Sequence, residues 1–237
     1  LNKGLAYKCY CSSEELSEMR EEALKNNLPP KYNRMWRDRI ATEEESKKPY
    51  VIRIKAPLDG ETIINDSIKG EVKRKNSELD DMILIRSDGT PVYQLAVVVD
   101  DYDMGVNYII RGDDHLTNTF RQIMIYNAMG WDIPSYAHLS MMLGPNGEKL
   151  SKRHGASSVG DIKDHGILSE ALNNYMVRLG FSEGEEILSI EEIIKIFDIT
   201  KVNKSAAMFD IKKLENINMH YLHNKDNKDI LELIKPD

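Results

Sequence analysis

Near the middle of the chain, Lys149-Leu150-Ser151-Lys152-Arg153 sets three fixed positive charges behind a Gly144-Pro145-Asn146-Gly147 turn. A segment that follows such a turn is exposed and able to move. Its chemistry suits a polyphosphate. When a nucleoside triphosphate is attacked at its α-phosphate, negative charge gathers on that phosphate and on the leaving pyrophosphate. Mobile cations there stabilise the transition state more than the ground state. Lysine supplies a point charge, and arginine adds a planar fork that spans two phosphate oxygens. Taken alone, so short a motif more often marks a solvated basic loop.

Other reactive side chains are sparser. Arg111 ends the apolar run Tyr108-Ile109-Ile110, and a buried strand there would deliver its guanidinium to the C-terminal edge of a parallel sheet, the usual ligand crevice of α/β folds. On the residues alone, Arg111 reads better as a surface ion pair with Asp113 or Asp114, and Tyr93 as core packing. Asp100, Asp101 and Asp103 lack the glycine and distal glutamate of a calcium loop and read as turn and capping carboxylates. His115, His138 and His154 are scattered, which favours structural or solvent-facing roles. One residue separates Cys9 from Cys11, too little for an easy disulfide, and no Gly-x-x-x-x-Gly-Lys-Ser/Thr loop occurs.

The blocks around these residues carry a family likeness. Lys149 to Arg153, continuing as His154-Gly155-Ala156 and preceded by His138-Leu139-Ser140-Met141, resembles the Lys-Met-Ser-Lys-Ser loop of class I aminoacyl-tRNA synthetases in the form used by glutamyl enzymes. Asp88-Gly89-Thr90-Pro91-Val92-Tyr93-Gln94-Leu95 resembles the stretch that re-enters the catalytic sheet, and Ile110-Arg111-Gly112-Asp113-Asp114-His115 resembles the Val-Ile-Arg-Gly-Glu-Asp-His segment. Leu168 to Tyr175 with Arg178-Leu179-Gly180-Phe181 is similar to the helix that leaves the loop. Several blocks in the right order, covering nearly the whole chain, point to bacterial-type glutamyl-tRNA synthetase.

The resemblance implies an α/β fold. It would be the second half of a Rossmann-like catalytic domain (91–155), with an inserted α/β acceptor-end-binding domain before it (1–90) and a helical stem-contact domain after it (156–237). It implies two steps. ATP, with Mg2+, activates L-glutamate to glutamyl-adenylate, and the terminal ribose hydroxyl of tRNA(Glu) then takes the acyl group. Lys149 and Lys152 would act on the phosphate charge, and Lys149, Ser151, Lys152, Arg153 and Asp114 would bind ATP, with His115 an alternative to Asp114. Tyr93 and Arg111 would hold glutamate. A glutaminyl enzyme, a paralogue that glutamylates a modified tRNA base, and a non-catalytic tRNA-binding fragment are the alternatives. Many relatives carry a structural zinc on a Cys-x-Cys pair plus a later Cys-x-His, but here Trp36 and Asp38 occupy the later places, and two thiolates cannot close a tetrahedral site. No zinc is expected. A His-Ile-Gly-His-like signature and an anticodon-reading region have no counterpart, and the first residue is Leu1, so the chain reads as partial, with little adenylation activity of its own.

Elements must position these groups. A chain of 237 residues, 41% of them hydrophobic, can build one large domain or two to three small ones. No apolar run approaches the roughly 18 residues of a membrane span, so no membrane partner is expected. The cysteine usage makes cytoplasm the default, a monomer is expected, and a net charge of −7 confines any nucleic-acid contact to local patches. Ser12 and Glu15 predict a capping box opening a helix that Pro29-Pro30 stops. Alternation predicts strands at Tyr50–Ile54, Thr62–Ile64, Met82–Ile85 and Ala137–Leu143, whereas Val92–Val99 fits helix or strand. A helix from about Thr119 ends at Gly130, one over Ala171–Leu179 is capped by Gly180, another opens at Ser189, and the tail from Asn224 fits one more.

Overall fold

A computed structural model of the chain describes residues 1–150, 158–181 and 185–233. In chain order the elements are β1 (Ala6–Cys9), α1 (Ser13–Lys25), β2 (Val51–Ile54), β3 (Glu61–Asp66), β4 (Gly70–Lys75), β5 (Ile83–Ile85), α2 (Tyr93–Asp103), β6 (Tyr108–Gly112), α3 (Leu116–Met129), β7 (Ser135–Leu139) and β8 (Met142–Leu143). Then come α4 (Val159–Asp164), α5 (Ser169–Gly180), α6 (Ile190–Ile196), β9 (Ala207–Met208), α7 (Ile211–His223) and α8 (Asn227–Leu233). The fold is mixed α/β. Two compact units divide it: Leu1–Asp66, Gly70–Ile110 and His115–Tyr136 form the first, and Ser67–Lys69, Arg111–Asp114 and Ala137–Asp237 the second.

In the first unit β1, β2 and β5 form an antiparallel sheet in the order β1-β2-β5. The β3–β4 hairpin lies in a second sheet, ordered β4-β3-β7-β6, where β3 and β7 run parallel. α3 packs Phe120, Ile123 and Met124 against Ile54, Ile64, Val98 and Tyr136, the main core. Each such side chain contributes about 1.5–3 kcal/mol by leaving water. A smaller core of Tyr7, Cys9, Tyr32 and Trp36 sits beneath β1 and α1. In the second unit α4, α5 and α7 gather Ile162, Ala171, Tyr175, Leu214 and Ile217, and the Tyr175 hydroxyl accepts from the Asp210 backbone N–H at 2.7 Å.

Local chemistry explains most boundaries. Ser12 and Glu15 make both bonds of the capping box, as do Ser189 and Glu192. Gly130 ends α3 at φ 72°. Elsewhere the expectations need correction. α1 stops before the prolines, because left-handed Asn27 closes its end with Leu28 N–H donating to the Ala23 carbonyl. Val92–Val99 resolves as helix α2, and Asp100, Asp101 and Asp103 lie in its last turn rather than in a loop. Gly105 supplies the left-handed residue that ends it, with Val106 N–H donating to the Asp101 carbonyl. The Ala137–Leu143 strand breaks after Leu139, and β8 leaves to pair in parallel with β9. β6 is an edge strand with Ile110 exposed, not a buried one. Gly180 is the last helical residue of α5, and Phe181 continues as extended chain.

Candidate active site at the strand ends

The last residues of β6 and the start of the following turn, Arg111–Asp114, belong to the second unit together with the chain that leaves β7. Arg111 Nε donates to Nε2 of His138 at 3.2 Å, and His138 is fully buried. A ring nitrogen that accepts carries no proton, so the proton of a neutral His138 sits on Nδ1 and the imidazole orients the guanidinium without opposing its charge. Gly112 follows. A Cβ there would stand 2.6 Å from Asp114 Oδ1, so a side chain at this position would push the carboxylate aside.

Lys149 reaches the same turn. Leu150 N–H donates to the Met142 carbonyl and Gly144 N–H to the Glu148 carbonyl, so residues 142–150 fold as a tight hairpin around Gly147 at φ 76°. That hairpin presents Lys149 Nζ to Asp114 Oδ2 at 3.1 Å, with the two side chains 65% and 44% exposed. Asp113, one residue earlier, receives Lys69 Nζ at 2.9 Å. Arginine, two carboxylates and two ammonium groups therefore meet at one strand end of the second unit. Such an array can neutralise a carboxylate and a phosphate while keeping its own charges paired until a ligand arrives.

Of the residues singled out in the sequence, Arg111, Asp114 and Lys149 share this unit, while Ser151, Lys152, Arg153 and His154 lie outside the described residues. Tyr93 opens α2 in the first unit and is 51% exposed, so it is not core packing. Its ring centroid is 6.2 Å from that of His115, whose Nδ1 meets Asn118 Nδ2 at 3.2 Å. His138 and Lys69 were not chosen from sequence. An isolated histidine in a β-run carries no signal of its guanidinium partner, and Ser67-Ile68-Lys69-Gly70 reads only as a turn.

The cysteine pair sits in the first unit. Cys9 Sγ donates to the Tyr32 hydroxyl at 3.3 Å, and the Trp36 backbone N–H donates to the same oxygen at 2.9 Å. Burial, followed by neighbouring Cys9, pushes the Cys11 thiol up to about 12. Trp36 fills the core, and Asp38 turns outward to Lys55 at 2.9 Å. Among the described residues no group of three or more His, Cys, Asp or Glu side chains could hold a metal ion. No helix among them is long and apolar enough to cross a membrane.

Comparison with known proteins identifies the family. The chain is 56% identical over 228 residues to glutamate–tRNA ligase 1 of Gluconacetobacter diazotrophicus, covering 96% of this chain and 49% of that protein. It is 54% identical over 235 residues to the glutamate–tRNA ligase of Azorhizobium caulinodans, covering 99% and 50%. The crystal structure of a glutamate tRNA ligase from Elizabethkingia meningosepticum, in complex with its amino acid, superposes with a TM-score of 0.83 at 35% identity, over 96% of this chain and 52% of that one. The chain thus spans about half the length of the curated relatives it matches. Residues 1–216 match the model for the catalytic domain of class I tRNA synthetases (E and Q), and the chain belongs to that family.

Proposed function

We propose that this chain supplies the Arg111-bearing strand end and the Lys149–Arg153 strap of a glutamate–tRNA ligase, which joins L-glutamate to tRNA(Glu) through glutamyl-adenylate. The observation that carries the reading is the pairing of Asp114 with Lys149 beside Arg111. The α-carboxylate of glutamate must stay available to attack the ATP α-phosphate, so Arg111 has the side-chain carboxylate as its partner, and Tyr93 is the second residue assigned to glutamate. Two anionic oxygens match a guanidinium fork, whereas the amide of glutamine offers one acceptor and two mismatched donors. As pyrophosphate leaves, Lys149 exchanges Asp114 for phosphate oxygens, joined by Lys152, with Ser151 and Arg153 contributing to ATP binding. Mg2+ enters with the nucleotide, held mainly by the phosphates and water rather than by a protein cage.

In this reading residues 1–90 bind the tRNA acceptor end, 91–155 complete the catalytic domain and 156–237 contact the tRNA stem, in a cytoplasmic monomer. The names of the two relatives described above, both glutamate–tRNA ligases, favour glutamate over glutamine. ATP–pyrophosphate exchange by a full-length protein carrying this chain tests it. Exchange should depend on glutamate, with glutamine supporting less than about a hundredth of the rate. An equal rate with glutamine would overturn the assignment.

A further inference from the structure

The tip of the β3–β4 hairpin behaves unlike a surface turn. Hairpin tips ordinarily face water and carry small polar residues. Here Ser67–Lys69 belongs to the second unit, and Ile68, 1% exposed, packs in a core with Ala137 and Val202. Lys69 follows at 15% side-chain exposure, and its ammonium meets three acceptors: Asp113 Oδ2 at 2.9 Å, Ser140 Oγ at 2.7 Å and the Lys204 carbonyl at 2.9 Å. An ammonium has three N–H donors, so each is matched. Ser140 Oγ extends the knot by donating to the Lys204 carbonyl at 2.8 Å. One side chain thus ties together the turn after β6, the exit of β7 and the chain entering β9.

We infer that Lys69 is a positioning residue for the strand-end site, an inference that rests on the function proposed above. Its Asp113 contact anchors the residue next to Asp114, the partner of Lys149. Its Ser140 contact fixes the break at which β7 gives way to β8, and β8 begins the hairpin that carries Lys149. Without the ammonium, Asp113 loses a charged donor, and the two chain exits lose their common tie. Both Asp114 and the base of the cationic strap would then wander on the scale of an ångström, enough to cost about 10²-fold in an oriented reaction.

Three variants of a full-length protein carrying this chain test the inference: Lys69→Met, Lys69→Arg and the double variant Lys69→Met with Asp113→Asn. Amide hydrogen exchange at residues 112–114 and 140–143 should quicken at least about tenfold in Lys69→Met, and Lys69→Arg should restore part of the protection. The double variant leaves no unpaired carboxylate, so it should regain the melting temperature of the parent. Its kcat for glutamate-dependent pyrophosphate exchange should nevertheless stay about 10²-fold low. A purely structural role predicts the opposite, a double variant with the kcat of the parent, and that result overturns the inference. Unchanged amide exchange in Lys69→Met overturns it as well. Should the parent itself show no glutamate-dependent exchange, the functional reading fails, and the amide exchange still decides whether Lys69 orders the strand ends.

Discussion

Asp81 and Asp114 are both held by cations, and they are held in opposite ways. In the first unit Asp81 is fully buried and accepts from the Tyr7 hydroxyl, Arg34 Nε, Arg37 Nη1 and the Ala56 backbone N–H. In the second unit Asp114 Oδ2 receives Lys149 Nζ at 3.1 Å, with both side chains open to water. A buried charge is tolerable only when every lone pair is matched, and the match then fixes one geometry. An exposed pair stabilises little and exchanges partners at low cost. The first arrangement defines a fold, whereas the second lets its lysine change partners, as the proposed role at a phosphate requires.

The contrast breaks hardest at Asp81. Replacing it with alanine strands two guanidinium groups, one hydroxyl and one backbone N–H, at a cost of about 3–5 kcal/mol. A thermal melt of Asp81→Ala should fall by roughly 6–20 °C; a drop below about 2 °C would mean that Asp81 is no hub. Burial first, then the bond to Asp81, holds the Tyr7 phenol well above its usual range, so this hydroxyl remains a donor at any pH at which the protein folds.

Arg111 tests the working side. Arg111→Ala should raise the KM for glutamate by about 10²-fold, with a far smaller change for ATP. Equal losses for both substrates would move Arg111 from the amino acid to general architecture.

A third site shows the ordinary surface case. The Lys225 ammonium, 2.9 Å away, and then the amide of its own residue hold the Glu170 carboxyl down to about 2, against an ordinary value of 4.5. A depressed carboxyl contributes stability that is complete above about 4.5 and is lost as pH falls toward about 2. The pair is half exposed, so screening limits it to about 0.2–1 kcal/mol. Glu170→Gln should therefore melt no more than about 4 °C below the parent near neutral pH, with the gap closing below about pH 4. A gap that persists in acid would rule out the ion pair as its source. The last effect is kinetic: burial, the first cause of the raised Cys11 thiol, persists in a Cys9→Ala variant, whose Cys11 should react with a disulfide reagent at about pH 8 more slowly than free cysteine. Reaction at the rate of free cysteine would contradict that environment.

What the sequence made legible was local. Ser12 with Glu15, Ser189 with Glu192 and Gly130 act within one turn of chain, and the structure places them as expected. The turn ahead of Lys149 was legible too, because Gly144-Pro145-Asn146-Gly147 is contiguous and the structure folds it as a hairpin. Asp81 and Lys69 were not, since Tyr7 lies 74 residues from Asp81 and Ser140 lies 71 residues from Lys69. No periodicity reports which acceptor a distant side chain will find. The β7–β8 break escaped for the same reason, because Ser140 is tied to Lys204 from far along the chain. α2 stayed ambiguous because Val97, Val98 and Val99 fit a buried strand as well as a helix, and only packing against α3 and the sheet decides between them.

In the proposed function the Asp114-paired lysine serves the nucleotide and not the fold. Glutamate-dependent ATP–pyrophosphate exchange by Lys149→Ala, in a full-length protein carrying this chain, measures that most directly when set beside its melting temperature. The expected rate is about 10²–10³-fold below the parent, with melting unchanged within about 2 °C. A parental rate, or a loss of rate matched by a loss of melting temperature, would contradict it.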